Sequence, residues 1–244
     1  MSGSILQEVD ILAIGVHPDD VELCAGGTVI KHIDLGYTLG ICDLTKGELG
    51  TRGTPEIRLQ EAEESAKFLG MAFRINLGMA DGFFGVSQEN ILKLIEVIRA
   101  CKPKIVIGNA ILDRHPDHGR ASKLISEACF YSGLLKIETS WKGTPQNRHR
   151  PNAVYHYIQD KNLNADFVVD ITPYFQKKLD AIKIFRSQFF NPDSKEPNTP
   201  ISSLEFLEFV EAKSRSYARE INVKYAEAFN VERAIGVNDL FDLL

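Results

Sequence analysis

Short apolar runs alternating with helical stretches constrain the fold of this chain more than any other feature. Val9 to Val16, Tyr37 to Leu44, Phe73 to Leu77 and Lys104 to Gly108 read as buried strands. Between them, residues 21–35, 55–69 and 88–101 read as helices, and the last shows the spacing best through Ile91, Leu92, Leu94, Ile95 and Ile98. Gly36, Gly70 and Pro103 stop these helices, and Thr54-Pro55 starts the second as N-cap and first helical residue. Strands that alternate with helices predict a parallel sheet with right-handed crossovers. Further on, a helix is expected to about residue 135, strands over Ala153 to Ile158 and Phe167 to Ile171, and helices over 173–189 and 203–219. Tyr225 to Phe229 and a short acidic-apolar helix close the tail. No linker divides the chain, so residues 1–244 are expected to form a single α/β domain.

The formal charge of −5 argues against general nucleic-acid binding, which needs a basic face. No apolar run approaches the ~20 residues that span a bilayer, and no basic segment leads into a signal core. A cytoplasmic protein with no membrane partner is expected. Cys24, Cys42, Cys101 and Cys129 are scattered through apolar stretches without a CxxC pair, so reduced buried thiols are expected rather than disulfides or a thiolate metal site.

In a parallel sheet the strand C-termini share one edge, and ligands bind there. Two turns rich in His and Asp follow strands: Val16-His17-Pro18-Asp19-Asp20 and Asp113-Arg114-His115-Pro116-Asp117-His118. Alone, the first reads equally well as a helix N-cap with an exposed His or as half of a metal site. The second turn, at a matching topological position, favours the metal. A catalytic zinc takes three protein ligands and keeps one position for water, and His17, Asp20 and His118 supply such a set. Zinc can lower the pKa of water to about 7. Asp19 is then free to act as general base. His115 can protonate a leaving amine or stabilise an oxyanion, while Asp117 orients its ring and raises its basicity. These parts suit metal-assisted hydrolysis of an amide or ester. Hydride transfer and serine-nucleophile chemistry are disfavoured, since neither GxGxxG nor a GxSxG elbow is present. Iron(II), cobalt or manganese would also accept two His and one Asp.

Other residues carry alternatives. Arg58 sits in the first turn of its helix, where a cation is disfavoured, and reads as a partner of Glu61 or a neighbouring acid, or as a substrate contact. Arg114 reads as a substrate contact or a partner of Asp113. Cys24-Ala25-Gly26-Gly27-Thr28 suggests close helix packing, and His149 and His156 read as structural or solvated. The Gly-rich stretch from Thr45 to Pro55 is expected to be a mobile loop over the site, with the loop Asn191 to Pro200 at its mouth.

The two turns resemble those of the LmbE/PIG-L family of zinc-dependent N-acetylglucosamine deacetylases. Cys42-Asp43-Leu44-Thr45, Asp81-Gly82, Ser187-Gln188-Phe189 and Tyr225-Ala226-Glu227 extend the likeness over nearly the whole chain. Within that family the chain is most similar to the bacillithiol-biosynthesis deacetylases, which act on N-acetylglucosaminyl malate. Chitooligosaccharides and mercapturic conjugates stand as alternative substrates, and a non-catalytic sugar-binding protein as a third reading. The resemblance implies a Rossmann-like, mostly parallel sheet with helices on both faces, zinc on His17, Asp20 and His118, and Asp19 as base. It also implies His115 as acid or oxyanion partner held by Asp117, and Arg58 and Arg114 near the substrate, where they could fork onto a malate carboxylate. A homo-oligomer, often a hexamer, is implied as well. Phe206 stands where some relatives place a Tyr, which leaves oxyanion stabilisation to zinc and His115 unless another Tyr reaches in.

Overall fold

A computed structural model describes residues 6–242. In chain order the elements are β1 (Ile11–Gly15), α1 (Asp20–Asp34), β2 (Leu39–Thr45), α2 (Pro55–Leu69), β3 (Phe73–Met79), α3 (Gln88–Cys101), β4 (Ile105–Gly108) and α4 (Pro116–Tyr131). A small hairpin of β5 (Ser140–Trp141) and β6 (Thr144–Pro145) precedes β7 (Ala153–Tyr157), β8 (Phe167–Asp170), α5 (Phe175–Ile184), α6 (Leu204–Ala218) and β9 (Ala226–Val231).

One seven-stranded sheet has the order β3-β2-β1-β4-β7-β9-β8. β3, β2, β1, β4 and β7 run parallel, as the strand–helix alternation predicts. β1 is buried on both sides, and its residues alternate between two cores. Leu12 and Ile14 pack with α3 and α4, whereas Ile11 and Ala13 pack with α1 and Ala181 of α5. The sheet is therefore covered on both faces. Among the described residues, no helix is long and apolar enough to cross a membrane. All four cysteines are free and buried, and burial raises each thiol pKa.

Three sequence expectations need correction. The tail segment Tyr225 to Phe229 leads into β9, which runs antiparallel between β7 and β8. Five of the six β9 residues are buried, so the strand has no polar alternation to betray it. Its Glu227 also breaks the apolar run, although that carboxylate lies inside, accepting Gly27 N–H (2.9 Å) and Thr28 N–H (2.7 Å) and pairing with Lys178 (2.7 Å). Gly27 also lets Ile171 pack closely on α1, because a Cβ there would lie 2.7 Å from Ile171 Cδ1.

α5 ends at Ile184, well before residue 189. Phe185 leaves helical geometry and enters a core with Phe189, Leu207 and Val210, while Glu61 accepts both Ser187 N–H (2.8 Å) and Ser187 Oγ–H (2.6 Å). α4 stops at Tyr131. Arg99 donates to the carbonyls of Ser132, Leu134 and Ile137, holding that segment out of the helix.

Candidate metal and hydrolytic site

Strand order reverses between β1 and β4, since the chain builds β2 and β3 on one side before crossing to the other. In open α/β sheets that reversal opens a crevice at the strand C-termini. The turns after β1 and β4 both lie there and line one cavity of about 370 Å³.

The first turn lacks the features of a side-chain helix cap with an exposed His. Asp19 precedes α1 but makes no side-chain cap hydrogen bond, and His17 is mostly buried. Asp19 holds φ 131°, a conformation that non-glycine residues rarely adopt and that surrounding contacts must enforce. Its Oδ2 accepts from Arg58 Nη2 at 2.8 Å. Asp20 is fixed from the other side, its Oδ2 accepting Val16 N–H (2.9 Å), His17 N–H (3.0 Å) and Asn109 Nδ2–H (2.9 Å). The strained turn thus presents two carboxylates in separate environments.

His17 Nδ1 lies 3.7 Å from Asp20 Oδ2, and His118 Nε2 lies 3.3 Å from Asp20 Oδ1. One donor atom from each of the three residues falls within 4.8 Å of the others. Each imidazole is anchored through its remaining nitrogen: His17 Nε2 on Asp81 Oδ1 (3.0 Å), and His118 Nδ1 on Asp113 Oδ2 (2.5 Å). Carboxylates that hold the far nitrogen of metal-ligating histidines are a general feature of such sites. The donor set fits a borderline divalent cation. A second grouping, His17 with His115 and Asp117, meets the same distance limit, but there His17 presents Nε2, 4.0 Å from Asp117 Oδ2, and that nitrogen is already held by Asp81 Oδ1.

Burial raises the Asp19 carboxyl above its ordinary range, with Arg58 opposing. Burial also works against ionised Asp20, but His118 and His17 outweigh it and hold that carboxyl low. The two adjacent carboxyls are thus pushed in opposite directions. Burial, aided by His17 and His118, lowers the pKa of His115.

Several predicted residues fall elsewhere than expected. The Asp117 carboxylate does not orient His115; the Asp117 backbone N–H does so, donating to His115 Nδ1 at 3.3 Å. The side chain is drawn away by Gly82 and Arg120, although its charge still favours protonated His115. Arg58 does not pair with Glu61. It is buried, donating to Pro18 O (3.1 Å) and Gly47 O (3.3 Å) as well as to Asp19. Gly47 must lack a side chain here, since a Cβ would lie 2.0 Å from Arg58 Nη1. Arg114 pairs with Asp160 rather than Asp113, which belongs to His118. Arg58 and Arg114 both line the cavity. So do Thr199 and Pro200 from the loop expected at its mouth. The stretch after β2 is tied down, Leu49 N–H donating to Asp81 Oδ2 at 2.9 Å. His149 and His156 bond to the Pro103 and Asn109 carbonyls, as structural residues do. Phe206 stacks on Phe189, and the hydroxyl of cavity-lining Tyr217 donates to Leu163 O (2.9 Å).

Sequence reasoning alone does not assign Asp81, Asp113, Asn109 or Gln159 to the site. Gln159 lies 3.2 Å from Asp20 Oδ1 and 3.3 Å from His118 Nε2. Their common signal is position, each being polar and just beyond a strand on the ligand-bearing edge. Asp113→Asn is expected to keep the fold and weaken metal binding about 10- to 100-fold, as loss of such supports generally does. Titration with a competing chelator measures this, and unchanged affinity would remove Asp113 from its supporting role.

Two imidazoles and a buried carboxylate beside a second carboxylate, paired with Arg58, lie at an α/β switch point, a donor set of the kind metal-dependent hydrolases use. Residues 12–129 match the PIG-L family, described as GlcNAc-PI de-N-acetylase. The chain is 31% identical over 189 residues to diacetylchitobiose deacetylase of Thermococcus kodakarensis, covering 73% of this chain and 70% of that one. It is 26% identical over 200 residues to a probable N-acetyl-α-D-glucosaminyl L-malate deacetylase 2 of Bacillus anthracis, covering 75% and 82%. A solved structure of a conserved protein from Thermus thermophilus superposes with TM-score 0.82 at 33% identity, covering 94% of this chain and 98% of that one. This chain belongs to the PIG-L/LmbE family of deacetylases, which hydrolyse amide bonds.

Proposed function

We propose that this protein removes the N-acetyl group from N-acetylglucosaminyl malate, the bacillithiol-biosynthesis reaction, and that zinc is its metal. The observation that carries the hydrolytic reading is the convergence of His17, Asp20 and His118 next to an Asp19 carboxylate that none of them needs. His17, Asp20 and His118 would hold a divalent cation, which when bound would supply polarisation of the amide carbonyl and a water that is nucleophilic at neutral pH. Asp19 takes the proton of the attacking water at Oδ1, because Oδ2 is held by Arg58. His115 accepts the Asp117 N–H at Nδ1, so Nε2 is the nitrogen left to carry a proton to the departing amine. The cavity, at about 370 Å³, lies within the range of small-molecule sites.

Malate as the acceptor rests on the likeness to the Bacillus anthracis relative. The higher identity to the Thermococcus kodakarensis enzyme favours a second reading, diacetylchitobiose. Acetate release from N-acetylglucosaminyl malate, diacetylchitobiose and free N-acetylglucosamine, with and without chelator, tests both. Chelator-sensitive release with the malate conjugate preferred is expected. Preference for diacetylchitobiose would select the second reading, and no release from any substrate would end both.

A further inference from the structure

The cavity extends from the metal ligands along one face of α6. Phe206, Phe209, Val210, Lys213, Ser214 and Tyr217 all line it, at the three- and four-residue spacings that put side chains on one helical stripe. Lys213 is the single charge in that stripe.

Four described lysines and arginines line the cavity, and three of them already face a carboxylate. Arg58 pairs with Asp19, Arg114 with Asp160 and Lys178 with Glu227. Among the described residues, Lys213 has no such partner. Its Nζ donates only to two main-chain oxygens, those of Asp160 (3.2 Å) and Lys161 (3.3 Å), and sits over the Phe209 ring at 5.9 Å. The nearby acids are engaged elsewhere: Asp113 holds His118 and Lys161 N–H, and Asp160 holds Arg114. An ammonium has three donors, so one remains for a ligand. A cation kept partly out of water with no carboxylate beside it is disfavoured until an anion meets it. Burial accordingly lowers the Lys213 pKa.

We propose that Lys213 binds a carboxylate carried by the non-sugar part of the substrate, and so sets a preference for acidic N-acetylglucosaminyl conjugates over neutral ones. This rests on the deacetylase reading above but moves acid recognition away from Arg58 and Arg114. Arg58 is turned toward Asp19 and two carbonyls, and Arg114 toward Asp160. The apolar residues beside Lys213 would exclude water from the resulting ion pair and strengthen it.

Binding to metal-loaded protein, measured calorimetrically, provides the test. N-acetylglucosaminyl malate is compared with its dimethyl ester in an Asp19→Asn background that suppresses turnover. The acid is expected to bind about 10- to 100-fold more tightly than the ester, the size of a hydrogen bond to a charged group. Lys213→Gln should bring that ratio to within about threefold, while Lys213→Arg, which keeps the charge, should preserve most of it. A ratio near one in the parent protein overturns the proposal, as does failure of both compounds to bind. An equal loss for acid and ester in Lys213→Gln also overturns it, because it would mean that Lys213 merely holds the 159–161 loop. Acetate release by the wild-type protein is scored separately. Its absence on every substrate overturns the deacetylase reading, whereas the binding ratio still decides the role of Lys213.

Discussion

His118→Ala protein is expected to remain folded yet lose its bound metal and all measurable acetate release. His118 Nε2 is one of three donors around the proposed ion, and a catalytic site with only His17 and Asp20 falls below the usual three protein ligands. The loss should exceed the roughly 10- to 100-fold that removing a supporting residue costs. Folding should survive because Asp20 keeps its bonds from Val16, His17 and Asn109, and Asp113 keeps Lys161 N–H. A few kcal/mol of destabilisation, about 1–3, is expected from unpairing Asp113 and His118. Metal per chain, acetate release and a thermal unfolding curve on the same preparation separate these effects. Stoichiometric metal in a folded His118→Ala protein would remove His118 from the ligand set.

The sequence made the two candidate ligand-bearing runs legible and left the residues that buttress them hidden, for a physical reason. His17, Asp20, His115 and His118 sit in short runs where several chemically active side chains are adjacent, directly after apolar strands. Parallel strand order then places both runs on one edge, so their meeting follows from topology alone. Asp81 and Gln159 are isolated polar residues, and nothing in their neighbours distinguishes a turn residue from one that anchors an imidazole. Asp113 lies within the second run, yet its charge suggests a bond to adjacent Arg114 rather than to His118, five residues away across a helix start. Arg58 shows the same limit. Its position in a helical first turn marks it as unusual, but only the fold brings it to Asp19, 39 residues earlier. β9 escapes a reading by period because a strand buried on both faces loses the period of two that identifies a half-exposed one.

The division of labour inside the first turn predicts a different outcome for Asp19 than for His118. Asp19→Asn should keep stoichiometric metal, since the three donor atoms lie on other residues, but lower kcat about 10²- to 10⁴-fold, the usual contribution of a general base. KM should change little if the carboxylate acts on the proton rather than on the sugar. Arg58 supplies a second arm. Its guanidinium opposes the upward push of burial on the Asp19 pKa, so Arg58→Gln should raise that pKa further. Asp19 would then stay protonated to higher pH, and the acidic limb of the kcat/KM profile would move toward alkaline pH while the metal is retained. A near-normal rate in metal-loaded Asp19→Asn would eliminate Asp19 as the base. An unmoved limb in Arg58→Gln would show that the limb reports another group. Both results together would return the strained φ of Asp19 to the status of a structural feature, with proton transfer to be sought at His115.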